Sequence, residues 1–123
     1  NFVLTIARLA RERSELRVVD DQRGRPTSAE HLARLSLALL ERGERGVFHG
    51  TDGGAACTWF DFASAIAETI APSCTVAPCT SDEYPRPAVR PAYSVLDLSR
   101  TEAAIGPMAD WRDNLASVLA RLR

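Results

Sequence analysis

The sequence predicts a mixed α/β domain, and three observations carry that expectation. Apolar residues recur at helical spacing in four stretches, around Phe2–Arg13, Leu32–Leu40, Phe62–Ile70 and Trp111–Leu122. Short β-prone runs, Leu16–Val19 among them, fall between these stretches. Glycines and prolines punctuate the junctions and no segment repeats another.

The elements follow in chain order. Phe2, Ile6, Leu9 and Arg13 share a stripe with Val3 and Ala10 beside it, which predicts an opening helix. Leu16–Val19 predicts a strand, and Asp20 to Pro26 a turn-rich loop. Thr27-Ser-Ala-Glu30 fits a capping box with Thr27 as the cap. The helix it opens is expected to reach Arg42, bury Leu32, Leu35, Leu39 and Leu40, and stop near Gly43. Gly46–Gly50 reads as a short strand and Asp52-Gly-Gly54 as a loop. Thr58-Trp-Phe-Asp61 is a second capping box, opening a helix to Ile70 with Phe62, Ala63, Ile66 and Ile70 inward. Pro72 ends it and Thr75-Val-Ala predicts a strand.

Four prolines make residues 78–91 extended rather than helical. Tyr93–Leu96 is expected to pair as a strand. Ser99–Glu102 is expected to cap a short helix ending at Gly106-Pro107, and Asp110–Asp113 to start a last helix with Trp111, Leu115, Val118, Leu119 and Leu122 inward. The expected order is α-β-α-β-α-β-β-α-α.

Composition narrows the function. All 15 basic residues are arginine, against 16 acidic ones, for a net charge of −1. That balance argues against a nucleic-acid binder, which carries a basic surplus. Without lysine the chain has no amine side chain for a Schiff base or a lysine acid or base. No apolar run approaches the roughly 20 residues of a membrane span, and no signal-peptide pattern opens the chain. The spacing of Cys57, Cys74 and Cys79 does not favour a metal site with His31 or His49, so reduced thiols and a cytoplasmic location are expected. A start at helical Asn-Phe-Val without methionine reads as a cut inside a longer polypeptide.

The sequence offers one anion-binding candidate. Tyr84-Pro-Arg-Pro-Ala-Val-Arg-Pro-Ala-Tyr-Ser94 is a stiff loop, in which Pro91 holds the backbone of Arg90 extended. A guanidinium so presented suits bidentate contact with a phosphate or carboxylate. Ser94, four residues on, shares its side if the segment stays extended. The competing reading makes Arg86 and Arg90 solvated loop charges. The Asp20–Thr27 loop places polar groups before a helix N-terminus, which favours polar or anionic ligand groups. A turn and a cap account for Gly24, Pro26 and Thr27, but not for Gln22. Adjacent Asp20 and Asp21 point apart in a strand and do not make a catalytic dyad. Asp52-Gly-Gly is a weak phosphate loop, Trp59 reads first as packing, and His49 stays open between buried and site roles.

Taken together, Asn1-Phe-Val, Arg8–Arg13, Leu16–Thr27, Gly46–His49, Thr58–Ala63 and Tyr84–Ser94 resemble the dTDP-4-dehydrorhamnose reductases, a family of extended short-chain dehydrogenases. The resemblance runs in order over nearly the whole chain. It implies a C-terminal substrate-binding region, residues 1–123, from an enzyme whose N-terminal Rossmann half is absent here. That half would bind NADPH or NADH and carry the catalytic Tyr-x-x-x-Lys. The full enzyme would reduce dTDP-4-dehydro-L-rhamnose to dTDP-L-rhamnose, and the fragment alone would be inactive.

By the same resemblance, Asn1 and Phe2 approach the sugar nucleotide, Gln22, Pro26 and Thr27 line its nucleotide side, and Arg90 and Ser94 lie near the diphosphate. No residue of this chain is assigned to catalysis, cofactor or metal. The expected partners are a dTDP-sugar and the missing Rossmann domain, with a homodimer and a bridging Mg ion open for the full enzyme. The alternative is a non-catalytic regulatory subunit of the same fold. A missing half also implies exposed apolar surface, and with it either self-association or partial disorder near residues 1–13 and 78–92.

Overall fold

The computed structural model describes residues 1–122. Its elements are α1 (Phe2–Glu12), β1 (Glu15–Val19), β2 (Arg23–Gly24), α2 (Ala29–Glu41), β3 (Cys57–Thr58), α3 (Trp59–Ile70), β4 (Thr75–Cys79), α4 (Ser99–Ile105) and α5 (Trp111–Ala120). A 3-10 turn at Ser81–Glu83 follows β4. β1 pairs in parallel with β4, Leu16 opposite Val76 and Val18 opposite Pro78. β2 and β3 form a two-residue antiparallel ribbon, Arg23 opposite Thr58 and Gly24 opposite Cys57.

The core is built around α3. Its Phe62, Ala63, Ile66 and Ala67 are buried, as helical spacing from Thr58 demands. Against them pack Ile6, Ala7 and Ala10 of α1, Leu16 and Val18 of β1, and Trp111, Leu115 and Leu119 of α5. Small residues at Ala7, Ala10, Ala63 and Ala67 let these helices approach closely. The capping box at Thr58 forms as read: its Oγ1 accepts from the Asp61 N–H, and the Asp61 carboxylate accepts from the Thr58 N–H.

Several local expectations are corrected. Ser28, not Thr27, caps α2, its Oγ accepting from the His31 N–H at 3.4 Å. Glu30 closes no box with it and instead pairs with Arg34 and Arg121. Two nearby guanidiniums outcompete a backbone amide for that carboxylate. Asp97, not Ser99, serves the start of α4, accepting from the Ser99 N–H at 2.9 Å. At α5 the Asp110 side chain accepts from Arg112. Residues 46–50 form no strand, and Tyr93–Leu96 reduces to one bridge between Tyr93 and Arg23.

Uncovered apolar side chains lie at Val89, Tyr84 and Tyr93, at Leu4 of α1, and on α2, which buries only Leu35 and leaves Leu32 41%, Leu37 58% and Leu40 72% exposed. A helix with two apolar sides needs two partners, and here it has one.

The segment after β4 is tied by charge. The Ser81 N–H and hydroxyl both donate to Asp21, and Arg17 donates to Glu83 at 2.6 Å. Asp20 and Asp21 therefore serve different partners, since Asp20 accepts from the Thr58 hydroxyl at 2.7 Å. The Thr80 N–H and then Arg17 lower the pKa of Glu83 below its usual range. A carboxylate lowered by folding stabilises above its ordinary pKa of 4.5, and that contribution is lost as pH falls through the lower folded value. The stability difference between the parent chain and Glu83→Gln should thus hold constant from neutral pH down to that range and shrink below it. Chemical denaturation across pH would show this, and a difference that grows on acidification would refute it.

Candidate functional site

An open cleft of about 310 Å³ lies where the β2–β3 ribbon, the N-terminus of α3 and the segment 90–96 meet. That size is at the lower end for small-molecule sites, which run about 300–1,000 Å³. The ribbon brings Gln22–Pro26 beside Cys57 and Thr58 on one wall. Segment 90–96 crosses β2 closely: the Ser94 N–H donates to the Arg23 carbonyl at 2.9 Å and Ala92 accepts from the Arg23 N–H. Gly24 suits the approach, because a Cβ there would stand 3.0 Å from Ser94 Oγ and the hydroxyl would have to shift. Arg25 fastens the same segment, donating to the Gly54 carbonyl at 3.1 Å and the Leu96 carbonyl at 3.2 Å.

Of the seven residues predicted for substrate, Gln22, Pro26, Arg90 and Ser94 line this cleft together. Asn1, Phe2 and Thr27 do not line it. Asn1 caps α1, its Oδ1 accepting from the Leu4 N–H at 3.1 Å. Phe2 supports the wall from behind, with ring centroids 4.7 Å from Trp59 and 5.4 Å from Phe62. Thr27 holds the loop, its hydroxyl donating to the Arg25 carbonyl and accepting from the Asp52 N–H, both at 3.4 Å.

The lining residues divide by what they have left to offer. Ser94 donates its hydroxyl proton to the Arg23 carbonyl at 3.1 Å, so it must rotate before it can donate to an anion. Thr58 has committed its proton to Asp20. Among the described residues, the Arg23 and Arg90 guanidiniums have no hydrogen-bond or ion-pair partner. With Gln22 they are the donors the cleft holds in reserve.

Trp59 departs from the packing role, being 42% exposed and lining the cleft, with its ring tilted 50° to that of Phe2. Sequence reading also missed Arg23, whose partners lie some 35 and 70 positions away and leave no local pattern. Cys57 shares the wall, and its thiol is pushed up to about 11, chiefly by burial and then by the Asp61 carboxylate. It remains a neutral thiol near neutrality, not a nucleophile.

Behind the cleft, Asp52 is 1% exposed and sets the loop that contributes Thr51. Its carboxylate accepts from the Ser28 N–H at 3.2 Å and meets His31 Nδ1 at 2.5 Å. Gly53 and Gly54 are explained by packing: a Cβ on Gly53 would lie 2.6 Å from the Met108 carbonyl, and Gly54 has φ +86°. They face Met108 and Asp110, so close packing accounts for both glycines. His49 is bonded through Nδ1 to the Asp97 carbonyl at 3.1 Å, outside the cleft. The described residues contain no group of three or more His, Cys, Asp or Glu able to hold a metal.

The chain matches the family described as RmlD substrate binding domain over residues 1–123. It is 40% identical over 123 residues to a dTDP-4-dehydrorhamnose reductase of Mycolicibacterium smegmatis, covering 98% of this chain and 37% of that protein. It is 38% identical over 119 residues to the spore coat polysaccharide biosynthesis protein SpsK of Bacillus subtilis, covering 97% of this chain and 41% of the relative. Among solved structures, a dTDP-4-dehydrorhamnose reductase of Clostridium acetobutylicum superposes with a TM-score of 0.94 at 40% identity, over 99% of this chain and 44% of its own. The reductase of Bacillus anthracis, solved in complex with NADP, gives 0.89 at 32% identity, over 98% and 43%. The chain thus spans less than half the length of each.

Proposed function

The chain belongs to the family of RmlD substrate-binding domains, and from that premise we propose that it is the dTDP-sugar-binding region of an NAD(P)H-dependent 4-ketosugar reductase. The complete enzyme would convert dTDP-4-dehydro-L-rhamnose to dTDP-L-rhamnose in the cytoplasm. The cofactor would sit on a Rossmann half outside this chain, consistent with the NADP held by the Bacillus anthracis relative. The nicotinamide cofactor supplies hydride when bound there; this chain's residues bind and orient the other reactant.

One observation carries the reading: Arg23, Arg90 and Gln22 converge beside the Trp59 ring on a single cleft. Two guanidiniums match the charge and bidentate geometry of a diphosphate. An aromatic face beside them suits a base or sugar ring. Ser94, Pro26 and Gly24 shape the wall and bring segment 90–96 within reach, while Phe2 and Thr27 support it from behind. Holding the nucleotide in this way positions the 4-keto carbon for hydride transfer, which is the entropic share of the rate.

Calorimetric titration of the complete polypeptide with dTDP tests it. Arg90→Ala should weaken binding about 10- to 150-fold, the loss of a charge-assisted hydrogen bond of about 1.5–3 kcal/mol. Equal affinity in parent and variant would remove the diphosphate from Arg90, and no dTDP binding at all would reject the substrate class.

A further inference from the structure

Asp21 takes no part in lining the cleft, yet its carboxylate holds a segment that does. One oxygen, Oδ2, accepts from both the Ser81 N–H at 2.8 Å and the Ser81 hydroxyl at 2.7 Å. These bonds, the backbone one first, keep the Asp21 carboxyl below its usual pKa range. Two residues on, the backbone of Arg23 holds the far end of the same segment. Its N–H donates to the Ala92 carbonyl at 2.8 Å and its carbonyl accepts from the Ser94 N–H at 2.9 Å. The two anchors are thus separated by at most about 7 Å of extended chain. Residues 82–91 form a loop closed at its base by one short stretch, and Gln22, a donor of the cleft, stands between the anchors.

Between the anchors little else holds the loop. Among the described residues, 85–91 make no hydrogen bond or ion pair, and Val89 is 98% exposed. The Arg86 guanidinium lies 5.2 Å from the centroid of the Tyr84 ring, a contact within the loop itself. Pro85, Pro87 and Pro91 stiffen the span. A stiff loop follows its ends, so the reach of Arg90 into the cleft depends on both anchors. The Arg17–Glu83 pair also ties the near end, but it joins two exposed side chains, and such pairs contribute little. Asp21 fixes a backbone N–H directly.

We infer that Asp21 is a positioning residue of the substrate site: by holding Ser81 it closes the base of loop 82–91 and sets the reach of Arg90. The inference rests on the reading of the cleft as the dTDP-sugar site. Neither Asp21 nor Ser81 lines the cleft, so the role is exerted through the loop.

The test uses the complete polypeptide and calorimetric titration with dTDP. Asp21→Ala should weaken binding at least about five-fold, and by no more than Arg90→Ala does, as expected of a displaced rather than deleted contact. Asp21→Asn should recover most of that loss, because it keeps one oxygen and Ser81 uses only one. Added to Arg90→Ala, Asp21→Ala should cost less than about two-fold more, since the group it positions is already gone. General destabilisation would cost the same in both backgrounds. Additive losses would therefore overturn the inference, as would an alanine variant that binds like the parent or an asparagine variant no better than alanine. A nitroxide on Val89→Cys reads the loop without ligand. Its mobility should rise when Asp21→Ala is added, and an unchanged spectrum would overturn the inference too. If the parent does not bind dTDP, the substrate reading falls, and a rise in nitroxide mobility would then leave Asp21 as a loop anchor without a role in that binding.

Discussion

Trp111→Ala is expected to destabilise the domain by about 3–5 kcal/mol, the range for removing a fully buried aromatic from a core. Trp111 is 1% exposed and lies edge-on to Phe62, with ring centroids 5.7 Å apart. Its Nε1 donates to the Ala55 carbonyl at 2.9 Å, which ties α5 to the loop before β3. Truncation empties a space lined by Phe62, Leu115 and neighbouring core residues and leaves the Ala55 carbonyl without its partner. Domains of this size are stable by about 5–15 kcal/mol, so the loss consumes a large fraction of the total. Urea denaturation followed by circular dichroism measures it. Trp111→Phe should restore part of the loss, keeping the ring but not the hydrogen bond. A loss below 1 kcal/mol for the alanine variant would mean that α5 is not integral to the core.

Asp52→Ala is the second large effect. The side chain is almost fully buried and serves the Ser28 N–H and His31 Nδ1 at once. Each donor left without a partner costs about 1–3 kcal/mol where water cannot reach it. His31 is itself largely covered, so solvent offers limited compensation. Asp52→Asn keeps one acceptor oxygen and should fall between the parent and the alanine variant. The damage should reach the cleft as well, because Thr51 is the preceding residue and the loop closes against α5 through the Gly53–Asp110 bridge. Thermal denaturation gives the ordering; an alanine variant as stable as the parent would show that His31 and Ser28 find other partners.

The parts of this fold legible in the sequence are those where one short stretch contains both halves of an interaction. Thr58 and Asp61 are three residues apart and cap α3 as read. Phe62, Ala63 and Ile66 carry the period of the helix they bury. Thr27 and Glu30 offered the same pattern and failed, because Arg34 and Arg121 reach Glu30 and Asp52 reaches across to the α2 N-terminus. The second of those guanidiniums lies 91 positions away, beyond any local pattern. The strand expected at 46–50 shows a different limit: extended backbone preference is local, but a strand exists only when another chain segment supplies its partner.

The candidate site divides in the same way. Arg90 and Ser94 stood out because Pro91 and the strand period act on adjacent residues. Arg23 and Trp59 became visible only when the β2–β3 ribbon set them on one cleft. Ser94 changed character on folding, since its proton goes to the Arg23 carbonyl and not to an open pocket.

The sequence by itself determined the α/β class, the long helices, and the absence of any lysine for chemistry. Tertiary structure alone decided which carboxylate caps which helix, which arginines are spent and which are held in reserve, and which helix face lacks a cover. The division has one physical cause. Propensity and periodicity act within a few residues, whereas hydrogen-bond partners and burial are allotted among groups that only folding brings together.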